Sequence, residues 1–459
     1  MSRTFQFYAT ACLAMSVQLA AQPPAPLKIR AVVERALQNY PAIGVSQEQV
    51  SAAAAGIQLA RTAYLPRVDL LAQVNRATRN NVFGLLLPQS VIPSMSGPVL
   101  GTNNFGSVWG SAVGGLVTWE PFDFGLRGAN VAIASAGRAQ ADASLKRTKY
   151  EIAVAAADAY LTLAAAEEAV RAAQAGVDRA ETIFKTINAL VMAELRPGAD
   201  ASRAQAELAA ARTQLIQAQQ AVGVARAVVA QFIGGDPNQI VIDASKLNEI
   251  PRDRSGEPFN AAQNPLSLEQ DAAIDHAKAE LHALERSYFP RFYLHAAAYG
   301  RGSGAEVNGD RLGGLSGLAP NFQNYALGFS VTFPVFDFAS IRARESVQAA
   351  NMRAQTARYQ QIATDLRARW NTAEARLSAA RKVAANTPVE VSAARATVEQ
   401  ATARYRSGLA NIDEVAEAER LLTQAEIDDA LARLAIWRGL LDIATAAGDI
   451  QPFLFEASQ

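Results

Sequence analysis

Four segments of the chain alternate large apolar side chains with small or polar ones. The clearest alternation runs from Tyr325 to Phe333, where every odd position is apolar and every even position is alanine, glycine, serine or threonine. A period of two residues places the apolar side chains on one face of a β-strand. Three further strands are predicted in the same way, with apolar positions at Val68, Leu70, Ala72 and Val74; at Trp109, Val113, Val117 and Trp119; and at Phe292, Leu294, Ala296 and Ala298.

Aromatic residues stand at the ends of two of these strands. Trp109 and Trp119 are ten residues apart, which is about 33 Å along a strand and about 25 Å across a bilayer when the strand is tilted by roughly 40°. That height equals the height of the apolar band of a membrane barrel, which lies between two girdles of aromatic residues. Tyr325 and Phe333, at the ends of the strand described first, are expected to be girdle residues in the same way. A half-buried sheet of a water-soluble protein shows a similar alternation, but the shared parity and aromatic ends favour membrane strands.

Two very long helices are predicted after the second and fourth strands. No proline or paired glycine interrupts residues 126–196, roughly 70 residues that would span about 100 Å as one helix. The matching stretch, residues 341–407, is interrupted only by Pro388, which is expected to bend the helix. A second amphipathic helix follows each long one. The predicted fold is therefore mixed α and β, mainly α.

Sequence features of the first half of the chain recur in the second half, which indicates an internal two-fold repeat. Three anchors recur in the same order: Pro66 as Pro290, Phe122-Asp123-Phe124 as Phe336-Asp337-Phe338, and Gly198 as Gly408. The separation between the two copies shortens from each anchor to the next, which predicts small deletions in the second copy. Gly198 and Gly408 are expected to close the long helices, because glycine permits the left-handed conformation of a helix end.

The predicted organisation follows from these anchors. Residues 1–21 form an export signal, 22–234 a first structural repeat, 235–263 a linker, 264–447 a second structural repeat and 448–459 a C-terminal tail. The signal is indicated by a basic residue ahead of a mostly apolar run that ends near a proline-rich stretch.

Composition and charge narrow the class of protein. The only cysteine, Cys12, lies within the predicted signal, so the mature chain is expected to have neither disulfides nor a lipid-anchoring thiol. Basic and acidic residues number 43 each, and a nucleic-acid-binding protein would need a basic stripe instead. Much of the apolar half of the chain is alanine, which suits long, closely packed helices.

If the protein spans a membrane, the strands must be the spanning elements. A spanning helix needs about 18 uninterrupted apolar residues, and the best stretch, residues 152–166, is broken by Asp158 and Thr162. Four strands cannot close a barrel alone, since every edge must be paired in lipid. Three copies give twelve strands, so a homotrimer is predicted.

At these residues the chain resembles the TolC-type outer-membrane efflux proteins, over essentially its whole mature length. The resemblance rests on the repeat, on the strand-to-helix corners at residues 121–125 and 335–338, and on the helix turns at residues 196–198 and 405–408. It implies a trimeric twelve-stranded barrel in the outer membrane, continued by an α-helical coiled-coil barrel across the periplasm. It also implies a periplasmic adaptor protein and an inner-membrane pump as partners.

The resemblance also implies roles for individual residues. Glu414 and Glu417, six and nine residues after Gly408, match an acidic pair that lines the narrowest part of the duct. Tyr405 matches a tyrosine that latches the closed tips, and Gly198 and Gly408 mark the tips that meet the adaptor. The expected partners of that tyrosine are missing, because the acidic position six after Gly198 is Ala204 and the basic position two after Gly408 is Ala410.

Other functions fit the sequence less well. His276 and His282 are six residues apart on a predicted helix, and His295 lies on a predicted strand, so no pair of histidines has the spacing of metal ligands. The sequence also contains neither a phosphate-binding loop nor a nucleophile elbow. No catalysis, cofactor, metal site or nucleic-acid partner is therefore expected. A periplasmic coiled-coil spacer without a pore would explain the helices but not the strands. The cargo of a duct stays open between small molecules, metal ions and secreted proteins.

Overall fold

The computed structural model describes residues 26–78, 106–251, 259–306 and 310–458. The predicted export signal and most of the loop that follows the first strand lie outside these residues. The chain forms two compact units, each built from segments of both repeats. The first unit comprises residues 1–41, 149–259 and 367–459, and the second comprises residues 42–148 and 260–366.

The second unit contains a four-stranded antiparallel sheet in the order β1-β2-β3-β4. Its strands are β1 (Arg67–Thr78), β2 (Ser107–Phe122), β3 (Arg291–Ser303) and β4 (Phe322–Thr332). Helix α2 (Pro41–Thr62) precedes β1, and its counterpart α5 (Pro265–Arg286) precedes β3. The sheet is open: within the described residues, β1 and β4 each have one edge without a neighbouring strand.

The register of the sheet confirms the four predicted apolar faces. Residues directly opposite each other in an antiparallel pair lie on the same face. The pairs that link the predicted apolar positions across the three seams are Val68 with Val117, Val117 with Ala296, and Ala296 with Leu327. The opposite face carries Asp69, Thr118, His295 and Ser330, and the His295 Nε2 and Ser330 Oγ atoms lie 3.1 Å apart. One side of the sheet is therefore mainly apolar, with Ser111 as an exception, and the other is mixed polar.

The aromatic residues at the strand ends have specific partners. The indole of Trp119 donates a hydrogen bond to the carbonyl oxygen of Tyr64 (3.1 Å), and the guanidinium of Arg76 lies over the ring of Trp109. Tyr325 and Phe333 are exposed, and Phe333 follows the last residue of β4.

The first strand-to-helix corner is closed by a buried charge pair. The carboxylate of Asp123 accepts hydrogen bonds from the backbone nitrogens of Gly125 and Arg127 (3.1 and 2.6 Å) and from Arg127 Nε (3.0 Å). It thereby satisfies amide groups that the start of a helix leaves without partners. The second corner differs, because Asp337 is exposed and Phe336 is 97% exposed.

Long helices make up most of the remaining chain. They are α3 (Leu126–Met192) with α4 (Gly198–Ile233), and α6 (Phe338–Arg406) with α7 (Ile412–Ala447). Pro388 lies inside α6, which stays helical on both sides of it. Among the described helices, none combines the length and apolar character that crossing a membrane requires.

The first unit packs its short elements around buried aromatic residues. Helices α1 (Ile29–Asn39) and α8 (Gln451–Glu456) lie in this unit with the linker. The hydroxyl of Tyr160 donates to the carbonyl oxygens of Leu27 and Asp243 (3.2 and 2.6 Å), and the indole of Trp437 donates to that of Glu249 (3.1 Å). These bonds tie the linker and the N-terminal segment to the long helices.

The structure corrects the alignment of the two repeats. Helices α4 and α7 are equally long, and their first residues, Gly198 and Ile412, stand as far apart in the sequence as the corner residues Phe122 and Phe336. The left-handed residue of the second turn, Gly408 (φ 76°), therefore corresponds to Glu194 (φ 59°). The expected equivalence of Gly198 and Gly408 is wrong, because Gly198 is the first residue of α4, where no positive φ is needed.

The two faces of β4 give a direct test of the sheet. Leu327→Arg places a charge on the apolar face, where contact with lipid at mid-bilayer costs about 2–4 kcal/mol. Ser330→Arg places the same charge on the polar face. We expect the first variant to lower the amount of protein recovered in outer-membrane fractions much more than the second. Equal loss from both variants would contradict the assignment of the faces.

Candidate gate at the helical turns

The candidate site lies at the two turns that join the long helices to their partners. The α3–α4 turn covers residues 193–197 and the α6–α7 turn covers residues 407–411, and both belong to the first unit. Each turn contains one residue with a left-handed backbone, Glu194 or Gly408. The side chain of Asn411 accepts a hydrogen bond from the backbone nitrogen of Glu414 (3.1 Å) and so caps α7.

Tyr405 links the two turns. Only 4% of it is exposed, and it packs in an apolar cluster formed by Ile187, Ala204, Ala401, Ile412, Val415 and Ala418. Its hydroxyl donates a hydrogen bond to the Asp200 carboxylate at 2.9 Å. The ring thus anchors the last turn of α6, and its polar end holds the first turn of α4.

Arg196 clamps the same tyrosine from the other turn. Its guanidinium lies 4.5 Å from the centre of the Tyr405 ring, within cation–π range. It also donates a hydrogen bond to the backbone carbonyl of Tyr405. Two residues of the α3–α4 turn region, Arg196 and Asp200, therefore hold one residue at the end of α6.

This arrangement shifts the titration of the phenol. Burial, together with the hydrogen bond to the Asp200 carboxylate, raises the pKa of Tyr405 to about 12. The hydroxyl consequently stays protonated and able to donate throughout the physiological pH range.

The expectation that Tyr405 lacks its partners is wrong. In the corrected alignment, positions in the first turn are counted from its left-handed residue, Glu194. The acidic position, six residues after Glu194, is Asp200 and not Ala204. The basic position, two residues after Glu194, is Arg196, which is the counterpart of Ala410. Ala204 instead packs in the apolar cluster beside Ala418, its counterpart in the second repeat.

Glu414 and Glu417 lie on one exposed face of α7, three residues apart. Each has a basic neighbour in the same chain: Glu414 is 3.8 Å from Arg404, and Glu417 is 2.5 Å from Arg420. The adjacent Asp413 faces α4 instead and pairs with Arg203 at 3.2 Å. The two glutamates therefore remain accessible, and their charge is partly offset.

A second ionic cluster was not predicted from the sequence. Arg179 of α3 contacts the carboxylates of Glu419 (2.9 Å) and Glu426 (3.0 Å) and the hydroxyl of Thr423 (2.9 Å), all on α7. Burial raises the pKa of Glu419, and Arg179 opposes that effect. The spacing of Glu419, Thr423 and Glu426 places them on one helix face, a signal that could have identified the cluster.

The remaining predicted site residues are not part of this site. Gly198 lies four residues beyond Glu194, at the start of α4. The girdle residues Trp109, Trp119, Tyr325 and Phe333 belong to the second unit. Within the described residues, no group of three or more His, Cys, Asp or Glu side chains is arranged to hold a metal ion.

Comparisons with known proteins agree with this architecture. A family model described as outer membrane efflux protein matches residues 32–235 and 260–449. A search of curated protein sequences found no match.

Solved structures with similar folds are outer-membrane channels. The outer-membrane channel OprN is 22% identical, with 92% of this chain and 89% of that one covered and a TM-score of 0.72. CusC is 14% identical, with 93% of each chain covered and a TM-score of 0.76. The CmeC channel of Campylobacter jejuni is 16% identical, with 94% and 87% covered and a TM-score of 0.72. At these identities the likeness establishes the fold.

The titration of Tyr405 is measurable by absorbance at 295 nm after rapid pH jumps. The difference between the parent protein and Tyr405→Phe should show one tyrosine that ionises near pH 12. Asp200→Asn should lower that pKa only partly, because burial is the larger cause. The Tyr405 contribution to stability should be fully present below pH 10 and be lost as the pH rises through 12, since the folded state favours the neutral phenol. A Tyr405 that ionises near pH 10, with helix content unchanged by circular dichroism, would contradict the contact.

Proposed function

Because this chain belongs to the outer membrane efflux protein family, we propose that it is the passive outer-membrane exit duct of a tripartite pump for small molecules. The observation that carries the proposal is the open four-stranded sheet, with one mainly apolar face and, within the described residues, two unpaired edges. In lipid, unpaired backbone groups cost several kcal/mol each, so strands span a membrane only in a closed barrel. Three protomers would supply twelve strands and close it, with outer-membrane lipid against the apolar face.

The duct performs no chemistry in this proposal and needs no cofactor. Energy for transport comes from an inner-membrane pump, which a periplasmic adaptor protein connects to the duct. Exposed apolar side chains at the two helical turns support such a contact: Met192 and Leu195 at the first turn and Leu409 at the second. Exposed apolar groups gathered at one place are typical of protein–protein contacts. Gly198 and Gly408 lie among them.

The clamp on Tyr405 serves as the latch of the closed duct. The Asp200 and Arg196 contacts hold the α6–α7 turn against the α3–α4 turn within each protomer. A hydrogen bond to a charged group contributes about 1.5–3 kcal/mol, and solvent access to Asp200 reduces that figure here. Loss of the latch would loosen the turns without disturbing the sheet.

Glu414 and Glu417 form the constriction of the duct. In a trimer, two rings of three carboxylates would stand about one helical turn apart and attract multivalent cations. Arg404 and Arg420 lie beside these carboxylates and partly offset their negative charge. The cargo that reaches the constriction is selected by the pump; metal-ion efflux and protein secretion use the same architecture.

The function is tested by planar-bilayer recording on protein whose mass has been measured by analytical ultracentrifugation. The parent protein should sediment as a trimer and give small, steady channels. Asp200→Asn should raise the conductance by weakening the latch. Tyr150→Phe removes a partly buried hydroxyl that donates to the carbonyl oxygens of Ala444 and Thr445, and it should leave the conductance unchanged. A monomeric protein without channel activity would refute the proposal.

The constriction is tested with a trivalent cobalt ammine added from either side of the bilayer. Micromolar additions should block the parent channel from the periplasmic side only. Replacing Glu414 and Glu417 together by alanine should abolish the block and leave the trimer intact. Asp413→Ala is the control, because it removes a neighbouring carboxylate that faces Arg203. Unchanged block in the double variant would rule out the constriction.

A further inference from the structure

The long helix α6 contains a break that its counterpart in the first repeat lacks. Pro388 has no backbone N–H, so the hydrogen bond that would reach the carbonyl oxygen of Ala384 is missing, although α6 is helical on both sides. The counterpart of Pro388 in α3 is Gln174, by the separation that matches Phe122 with Phe336. Because sharp bends in helices occur mostly at proline, the α6–α7 pair has a point of bending that the α3–α4 pair does not have.

The packing of α6 on α7 is divided at the level of Pro388. Two buried apolar clusters join these helices, one on each side of the break. Their members are Leu377, Ala384, Ala432 and Ile436 on the side away from the turns, and Ala394, Leu422 and Ala425 on the side of the turns. The part of the α6–α7 pair between Pro388 and its turn is therefore packed within itself and can move as one body.

A buried polar contact lies between the two clusters. The hydroxyl of Thr387, the residue directly before Pro388, donates a hydrogen bond to the Asp429 carboxylate (2.7 Å), and Arg433 donates to the same carboxylate. Thr387 and Asp429 are 4% and 8% exposed. A carboxylate held by two donors makes strong hydrogen bonds, so α6 and α7 stay joined at the break while α6 bends.

The cluster around Arg179 lies at the same level. Its member Glu426 is three residues from Asp429 and is also 3.7 Å from Arg395, so the cluster joins α3 to both α6 and α7. The side chains of Arg179 and Glu426 are 24% and 22% exposed, which shields their ion pair from solvent. The counterpart of Arg179 in α6 is Ala393, so the second repeat has no equivalent arginine.

The space between this cluster and the turns is loosely filled. A cavity of about 240 Å³ lies between α3, α4 and α7 and extends from Thr423, in the cluster, to Ile412, at the start of α7. Small residues make up most of its wall, among them Gly176, Ala180, Ala204, Ala211 and Ala416. Alanine and glycine bury little apolar area, so separating α7 from α3 over this stretch costs little.

We propose that opening of the duct begins at this level. The part of α6–α7 between Pro388 and the turn swings away from α3–α4 as one body, and the Arg179 cluster is its fixed pivot on α3. Helix α7, which has no proline, follows by gradual curvature. The proposal rests on the proposed function, since it states how far the loosening of the Tyr405 latch extends along the helices.

A disulfide at the pivot tests the fixed point. A Cβ atom on Gly176 would lie 3.8 Å from the Cβ atom of Thr423, which is the usual separation in a disulfide. Gly176→Cys with Thr423→Cys is combined with Asp200→Asn, which weakens the latch, and the conductance is recorded in planar bilayers before and after reduction. We expect no change on reduction, as in the matched control that carries Thr423→Cys without the second cysteine. A disulfide that returns the conductance to the parent level would overturn the pivot.

A link close to the turns provides the opposite result. Arg203 of α4 and Asp413 of α7 form an ion pair, and their side chains are 46% and 64% exposed. Arg203→Cys and Asp413→Cys, joined by a bis-methanethiosulfonate reagent in the Asp200→Asn background, should return the conductance to the parent level until the link is reduced. An unchanged conductance would overturn the movement of α7.

The yield of the pivot disulfide tests Arg179 itself. With Arg179 in place, Gly176→Cys and Thr423→Cys should form the disulfide equally well with and without Asp200→Asn. With Arg179→Gln, the yield should fall when Asp200→Asn is added, because nothing then holds α7 on α3 as the turns loosen. Equal yields in all four proteins would overturn the role of Arg179 as the anchor.

Replacing the proline tests the break. Pro388→Ala restores the missing N–H, so in the Asp200→Asn background it should lower the conductance towards the parent level. Gln174→Ala, at the counterpart in α3, is the matched control and should have no effect. Equal conductance of the Pro388 and Gln174 variants would overturn the break as the point of bending and leave the duct standing. If Asp200→Asn alone does not raise the conductance, the latch and the pivot both fail; a protein without channels refutes the proposed function as well.

Discussion

The pairing of backbone hydrogen-bond groups at the sheet edges is the constraint on which the rest of the structure depends. The four strands have a face suited to lipid, yet β1 and β4 leave one edge each unpaired within the described chain. In water such edges are a hazard, and in a bilayer they are not tolerated. The protomer is therefore a fragment of a closed structure.

The long helices are held together by different interactions from those of the sheet. Alanine-rich surfaces bury little area per residue, so helix pairs of this kind gain only modest stability from each contact. Local polar clusters fix which residues of neighbouring helices face each other. Arg179 does this between α3 and α7, and Tyr405 does it between the two turns. Such clusters hold particular positions along otherwise uniform helices.

Much of the fold could be predicted from the sequence, because the strands have a period of two and the long helices lack breakers. Leu327 and Ser330 were assigned to opposite faces by parity alone, and the register agrees. The first turn could not be aligned in this way. Gly198 resembles Gly408 in residue type, whereas the conformational match is Glu194, as the starts of α4 and α7 and the backbone dihedral angles show. That four-residue error hid Asp200, the partner of Tyr405. The Arg179 cluster was missed because its pairing depends on which faces of α3 and α7 meet.

The difference between Glu194 and Gly408 has a consequence for the symmetry of the assembly. A side chain other than glycine in the left-handed region costs about 1–2 kcal/mol, so the first turn of each protomer is held under strain that the second turn does not carry. The first turn alone also has the arginine, since the counterpart of Arg196 is Ala410. In a ring of three protomers, strained and relaxed turns would alternate around the axis. The two turns of each protomer are therefore alike in position along the repeat but differ in backbone strain and in charge.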